Sequence, residues 1–259
     1  MMIKRVRIMI AVGFCVAWAS VALGQGLYWE TTTTGAGKDA RASQTYAMPK
    51  MMKIVNSDGQ VLIFRSDQDK FVSIDPKKQV YHEMAFSEME SAAKSAQAQM
   101  ETARAQMEKR MKGVSPEQRS MMEKMMPKMP GAEAAKASQV VVKNTGEAKK
   151  ISGYACTKYV ATEDGKTVLV AWTTKDVKGF QDLRDDLLAL QKRFARANRA
   201  FGSGVADAYA KIEGFPMETE MGDIKTLVTK VEARTTATSE FDVPAGYKKE
   251  TLSFPKAHP

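Results

Sequence analysis

The chain has 259 residues, 44% of them hydrophobic and 27% charged, with a formal net charge of +9. That apolar content supplies one large or two small cores and excludes wholesale disorder. The positive charges are spread along the chain, which points to solubility or weak attraction to anionic surfaces and away from nucleic-acid binding.

Lys4, Arg5 and Arg7 precede the apolar run IMIAVGFCVAWASVA, and the small residues Ala22 and Gly24 follow it. This is the pattern of a secretory signal over residues 1–24, cut near Gly24. The run is shorter than the ~20 residues that span a bilayer comfortably. A soluble periplasmic or secreted mature chain is therefore expected. Cys15 follows Phe14 inside the apolar run, which argues against a lipid anchor. Cleavage removes Lys4, Arg5 and Arg7 from the formal +9, leaving +6, and makes Cys156 the only cysteine. No internal disulfide is then available, and the surrounding YACTKY favours a buried thiol over a reactive one.

From Leu27 to Phe86 the text is strand-like: LYWETTTT, QTYAM, MMKIVN, VLIFRS, KFVSID and QVYHEM, separated by turn signals at Asp58-Gly59, SDQDK and Pro76. Alternation of Phe71, Ser73 and Asp75 with Val72 and Ile74 predicts an antiparallel meander with one wet and one dry face. Ser87 to about Lys112 is built of strong helix formers without Gly or Pro and predicts a long helix, with a capping box from Ser87 to Glu90. Met89, Ala93, Ala96, Met100, Ala103 and Met107 form a narrow seam along it. SPEQRSMMEKMM, with Ser115 and Pro116 at its start and Pro127 after it, predicts a second, short helix.

Strands resume with QVVVKN, GYACTKYVAT and TVLVAWTT, the last two joined as a hairpin through EDGK. Phe180 to Phe201 reads as an amphipathic helix with Asp182, Asp185 and Asp186 toward its start and Lys192, Arg193, Arg196 and Arg199 toward its end. A short helical piece near ADAYAKI precedes the closing strands FPMETEM, TLVTKVEARTT and SEFDVPAGY. Too few crossover helices are present for a parallel sheet. The simplest architecture is α+β: one domain over residues 25–259, a single curved antiparallel sheet with helices on its concave face and a helical insertion over 87–138.

The phrases PKMMKIVNSDGQVLIFRSDQDKFVSIDPKKQVYHEM, ISGYACTKYVATEDGKTVLVAWTTKDV, GFPMETEM and SEFDVPAGYKK resemble a family of exported bacterial proteins known as a domain of unknown function and related to the lipoprotein-carrier (LolA/LolB-like) fold. The resemblance covers most of the chain outside the helices. It implies a half-barrel with helices plugging a hydrophobic cavity, which in lipoprotein carriers accepts acyl chains. The Met- and Ala-rich insertion departs from those carriers, so the fold transfers and the site does not.

His82 and His258 are the only histidines, and no HExxH, GxSxG or phosphate-cradling loop is present. No enzyme activity and no cofactor are expected. Met121, Met122, Met125, Met126 and Met129 allow three readings: an ordinary apolar face, a flap adapting to a lipid-like ligand or partner, or a soft site for Cu(I). Candidate ligand-binding residues are Met100, Met107, Met111, Met122 and Met126 from the helices with Val72, Ile74 and Trp172 from the sheet. The basic end of the Phe180 helix reads as a solvated helix end in preference to a contact with anionic headgroups. The expected function is non-enzymatic binding of a lipid-like or hydrophobic ligand, or of an envelope partner's apolar segment. Cu(I) binding and a structural protein with a filled core are the alternatives.

Overall fold

The computed structural model describes residues 23–35, 37–111, 139–197 and 203–251. The expected signal, the expected second helix and the Met121–Met129 cluster lie outside the described residues.

Six strands follow one another as a meander: β1 (Leu23–Gly35), β2 (Lys38–Met48), β3 (Met51–Asn56), β4 (Val61–Arg65), β5 (Lys70–Asp75) and β6 (Val80–Ala85). The turn residues act as their chemistry demands. Gly59, at φ +92°, closes the β3–β4 hairpin, with its N–H donated to the Asn56 carbonyl at 2.9 Å. After Pro76, the Asp75 carboxylate accepts the N–H groups of Lys77 and Lys78 at 3.0 and 3.2 Å. β1 starts at Leu23, so Gly24, where the signal is expected to end, pairs with Thr236. At Gly26 a Cβ would strike the Ala47 carbonyl and the side chain of Met48, so glycine lets that methionine lie across β1.

α1 (Phe86–Met111) leads to a second meander of β7 (Val140–Ile151), β8 (Tyr154–Glu163) and β9 (Lys166–Thr174). Asp164 and Gly165, both at positive φ, make the two-residue β8–β9 turn expected from EDGK. α2 (Phe180–Ala197) and α3 (Ser203–Lys211) come next, then β10 (Phe215–Met221) and β11 (Ile224–Ala237). The long strands β1 and β11, rich in Thr and Val, pair antiparallel and weld the two meanders together. The result is one twelve-stranded sheet in the order β12-β6-β5-β4-β3-β2-β1-β11-β10-β9-β8-β7, where β12 (Lys248–Lys249) is the one parallel addition.

The α+β class and the open antiparallel sheet expected of a half-barrel are found: the strand order is linear and β7 does not meet the far edge. Local reasons are visible at both ends. β6 is occupied by β12, while β7 carries an irregularity between Asn144 and Ala148 and the lysines Lys143, Lys149 and Lys150, devices that blunt an edge. SEFDVPAGY, expected as a strand, forms instead a 3-10 turn at Thr238–Phe241 and an extended strap, because Pro244 and Gly246 interrupt any ladder.

The helices do not share one face. In β8, Cys156 lies in the cluster under α2 with Leu183, while Tyr159 and Ala161, of opposite parity, lie in the cluster under α3 with Ala208 and Ile212. The face opposite α2 is covered at its other end by the strap. Phe241, 2% exposed, sits on Met48, Ile63, Val72 and Ile74. Arg65 fastens the strap there, with its guanidinium donating twice to Asp67, at 3.0 and 2.8 Å, and once to Asp242 at 2.9 Å.

Candidate functional site

The α2 face of β3–β6 is apolar and only partly covered. Phe64, Phe86 and Leu190 are buried at its centre, and Met52, Ile54, Leu62, Phe71 and Met89 around them are half-buried. Alternation places these side chains together. Met52 pairs with Phe64, Ile54 with Leu62, and Phe64 with Phe71, so one pleat of three strands presents a continuous hydrocarbon surface. The rings of Phe64 and Phe71 lie 5.2 Å apart at 33°.

Two helices frame this surface. α2 is seated tightly: the crevice between it and β3, lined by Met52, Asp186, Leu187 and Leu190, has about 10 Å³ of open space. That is the room of a single water, so no ligand fits in this crevice. Among its described side chains, α1 is attached to the core at its first turns. Among the described residues, Phe86 and Met89 are the α1 side chains that enter a core cluster, and Ser91, Ala92, Ala98, Thr102 and Ala103 are exposed.

The start of α1 is held by polar contacts that differ from the expected capping box. Asp69, in a left-handed conformation at φ +49°, accepts the Ser87 hydroxyl at 2.7 Å, and its backbone carbonyl accepts the Phe86 N–H at 3.1 Å. Glu88, and not Glu90, reaches back to the Ala85 N–H at 3.2 Å. Arg193 of α2 pairs with Asp69 at 3.1 Å and places its guanidinium 5.0 Å from the centre of the Phe86 ring. The Ser87 hydrogen bonds and Arg193 hold the Asp69 carboxyl below its ordinary range despite some burial cost.

Of the sheet residues expected to bind ligand, Val72 and Ile74 share one cluster and Trp172 lies against another. Val72 and Ile74, each 2% exposed, are sealed by the strap on the opposite face. Trp172 is half-buried at the margin of the α2 cluster, more than one strand away across the sheet, with the Lys149 ammonium 4.2 Å from its ring centre. Met100, Met107 and Met111 lie along α1 beyond its packed turns, and Met122 and Met126 fall outside the described residues. The apolar surface around Phe64 was missed although a signal existed. VLIF in β4 is apolar at every position, and an unbroken apolar strand is one covered on both faces.

Beside Trp172, Glu218 is a buried carboxylate, its side chain 6% exposed, that accepts Lys149 at 2.8 Å and pairs with Lys225 at 2.9 Å. Burial pushes its pKa up, but the two lysines outweigh this and hold it below the ordinary glutamate value. Cys156, 1% exposed, has its thiol pushed up by burial. Among the described residues no group of three His, Cys, Asp or Glu is gathered as for a metal ion, and no helix is long and apolar enough to cross a membrane.

Sheet and helices together define an α+β protein with a large antiparallel sheet left open. The chain belongs to the family described as Domain of unknown function (DUF4412), whose model matches residues 87–247. A comparison with curated proteins gives no match. Among solved structures, PNGF-II in a C2 crystal is similar over 88% of this chain at 12% identity and a TM-score of 0.36. The chain spans 31% of the length of PNGF-II. The MucA/MucB complex of Pseudomonas aeruginosa is similar over 85% of this chain and 56% of that one, at 6% identity and a TM-score of 0.38.

Proposed function

We propose that this is an exported, non-enzymatic binding protein for a lipid-like ligand, held on the apolar surface around Phe64. The observation that carries the reading is that Met52, Ile54, Leu62, Phe71 and Met89 form one continuous apolar surface left half-buried around Phe64, Phe86 and Leu190. An acyl chain laid across β3–β5 completes the burial that α1 and α2 leave undone. α1, anchored at its first turns, is the element that adjusts. The resemblance to lipoprotein carriers supports the same ligand class, and the leader-like first 24 residues support an envelope location. Methionine at positions 52 and 89 suits a surface that accepts more than one chain shape.

The test is native mass spectrometry of protein purified without detergent, joined to titration with a fluorescent fatty acid. A lipid-mass adduct lost on organic extraction is expected. The double change Ile54→Gln and Leu62→Gln, at half-exposed positions, should weaken the probe by about 10- to 100-fold, the worth of one well-buried aliphatic side chain. A protein that arrives bare and binds the probe equally well with and without these changes overturns the proposal. So does stoichiometric Cu(I) uptake by bare protein that binds no probe.

A further inference from the structure

The strap leaves β11 at Thr238 and ends by joining β6 as β12. Its contacts are those of a bound peptide. Phe241 fills a pocket floored by Met48, Ile63, Val72 and Ile74, and Val243 packs on the same cluster two residues on. Asp242 between them is extended, at φ −102° and ψ 160°, the geometry that sends alternate side chains to one side. Among the described residues, the backbone hydrogen bonds from strap to sheet come at its far end, with Lys248 N–H donating to the Gln79 carbonyl at 2.9 Å and Glu250 N–H to the Tyr81 carbonyl at 2.8 Å. Side chains hold the middle.

The sheet itself positions the two cations of this groove. Arg65, 9% exposed at its side chain, is oriented by Asp67, which accepts Nε and Nη2 at 3.0 and 2.8 Å and leaves Nη1 for Asp242 at 2.9 Å. Lys53 lies 5.6 Å from the centre of the Tyr46 ring and 3.9 Å from Glu240. The carboxylates on either side of Phe241 thus each meet a cation fixed by the floor. With the strap away, Nη1 of Arg65 is a nearly buried donor without an acceptor, a cost that an incoming carboxylate removes. We infer that the groove is a docking site for an extended segment of a partner protein in which an aromatic residue stands between two carboxylates, with the strap as its resident competitor. Glu240 and Asp242 are 45% and 60% exposed at their side chains, so their ion pairs hold the strap weakly and most of the hold lies in one ring. A partner segment of the same chemistry exchanges like for like, and what it must overcome is the high local concentration of the tethered strap. The groove and the surface around Phe64 lie on opposite faces of the same strands, so the failure of one reading leaves the other standing.

The probe is a fluorescent synthetic peptide of residues 238–250, TSEFDVPAGYKKE, titrated by anisotropy into the purified protein. Native protein should take it weakly, because its own strap is in place. Phe241→Ala, which empties the pocket, should bind it at least about 10-fold more tightly. Glu240→Lys with Asp242→Lys, at exposed side chains, sets like charges against Lys53 and Arg65 and should also admit the peptide, which keeps the test decisive if Phe241→Ala does not fold. A peptide carrying Glu240→Gln and Asp242→Asn should bind about 3- to 10-fold more weakly, and one carrying Phe241→Ala should not bind. Equal affinity for the native and the altered proteins overturns the inference, and equal binding of the charge-free peptide overturns recognition of the two carboxylates. Binding that disappears with Ile54→Gln and Leu62→Gln, on the other face, also overturns it, the peptide then sitting on the surface around Phe64.

Discussion

Replacing Phe241 by alanine tests what holds the strap to the sheet. The ring is 2% exposed and packs on Met48, Ile63, Val72 and Ile74, so truncation removes most of an aromatic side chain from a closed site. Phe→Ala in such a setting costs about 3–5 kcal/mol, less where the surroundings collapse into the gap. The ionic fastening beside it is worth much less. Asp242 is 60% exposed at its side chain, so Asp242→Asn should cost below about 1 kcal/mol, and Arg65 keeps both hydrogen bonds to Asp67. Denaturant unfolding followed by tryptophan fluorescence measures both variants, and hydrogen exchange over 238–249 shows whether the strap lifts before the sheet opens. Phe241→Ala should lower stability several times more than Asp242→Asn and raise exchange first in the strap. Equal losses from the two changes, or an unaltered exchange pattern in Phe241→Ala, refute the account in which apolar burial anchors the strap.

Glu218 predicts an acid response. Its folded pKa is depressed, so its contribution is complete above the ordinary carboxylate pKa and disappears as pH falls through the lower folded value. Glu218→Gln should be less stable than the native protein near neutrality, by about 1–2 kcal/mol given the part-exposed lysines, and the gap should narrow in denaturant titrations between pH 5 and pH 3. Cys156, buried and with its thiol pushed up, should react with a soluble disulfide reagent only as fast as the protein opens. Labelling in the native state as rapid as in denaturant would contradict its placement in the core.

The opposite coverings of the sheet explain why a single dry face is not the right picture. β4 and β5 are pressed between α2 with the start of α1 on one side and the strap on the other, while β8 and β9 are pressed between α2 and α3. A polar stretch lies in the middle of the face opposite α2. There Tyr28 donates to Glu30 at 2.5 Å, its pKa raised first by burial and then by that bond, and Arg234 stacks 5.3 and 5.1 Å from the rings of Tyr28 and Tyr46. A sheet this wide needs several covers, and the chain draws them from three separate segments.

Local chemistry alone was enough to specify most strands, both tight turns and three helices. Gly59 and Asp164-Gly165 occupy conformations that few residues accept, Val and Thr crowd the strands, and Ala, Glu and Lys crowd α1. Three features depended on contacts between distant segments. Asp69 rather than Ser87 secures the start of α1, because the cap arrives from a neighbouring turn. Val72 and Ile74 lie under the strap rather than under a helix, because alternation assigns residues to a face without saying what will cover it. The sheet stays open, because closure depends on whether the edge strands β6 and β7 meet, and β12 already occupies one of them. Periodicity is a property of single segments and is written in each of them. Which segment covers which face is decided by competition among all of them for the same apolar surface, and only the assembled fold records the outcome.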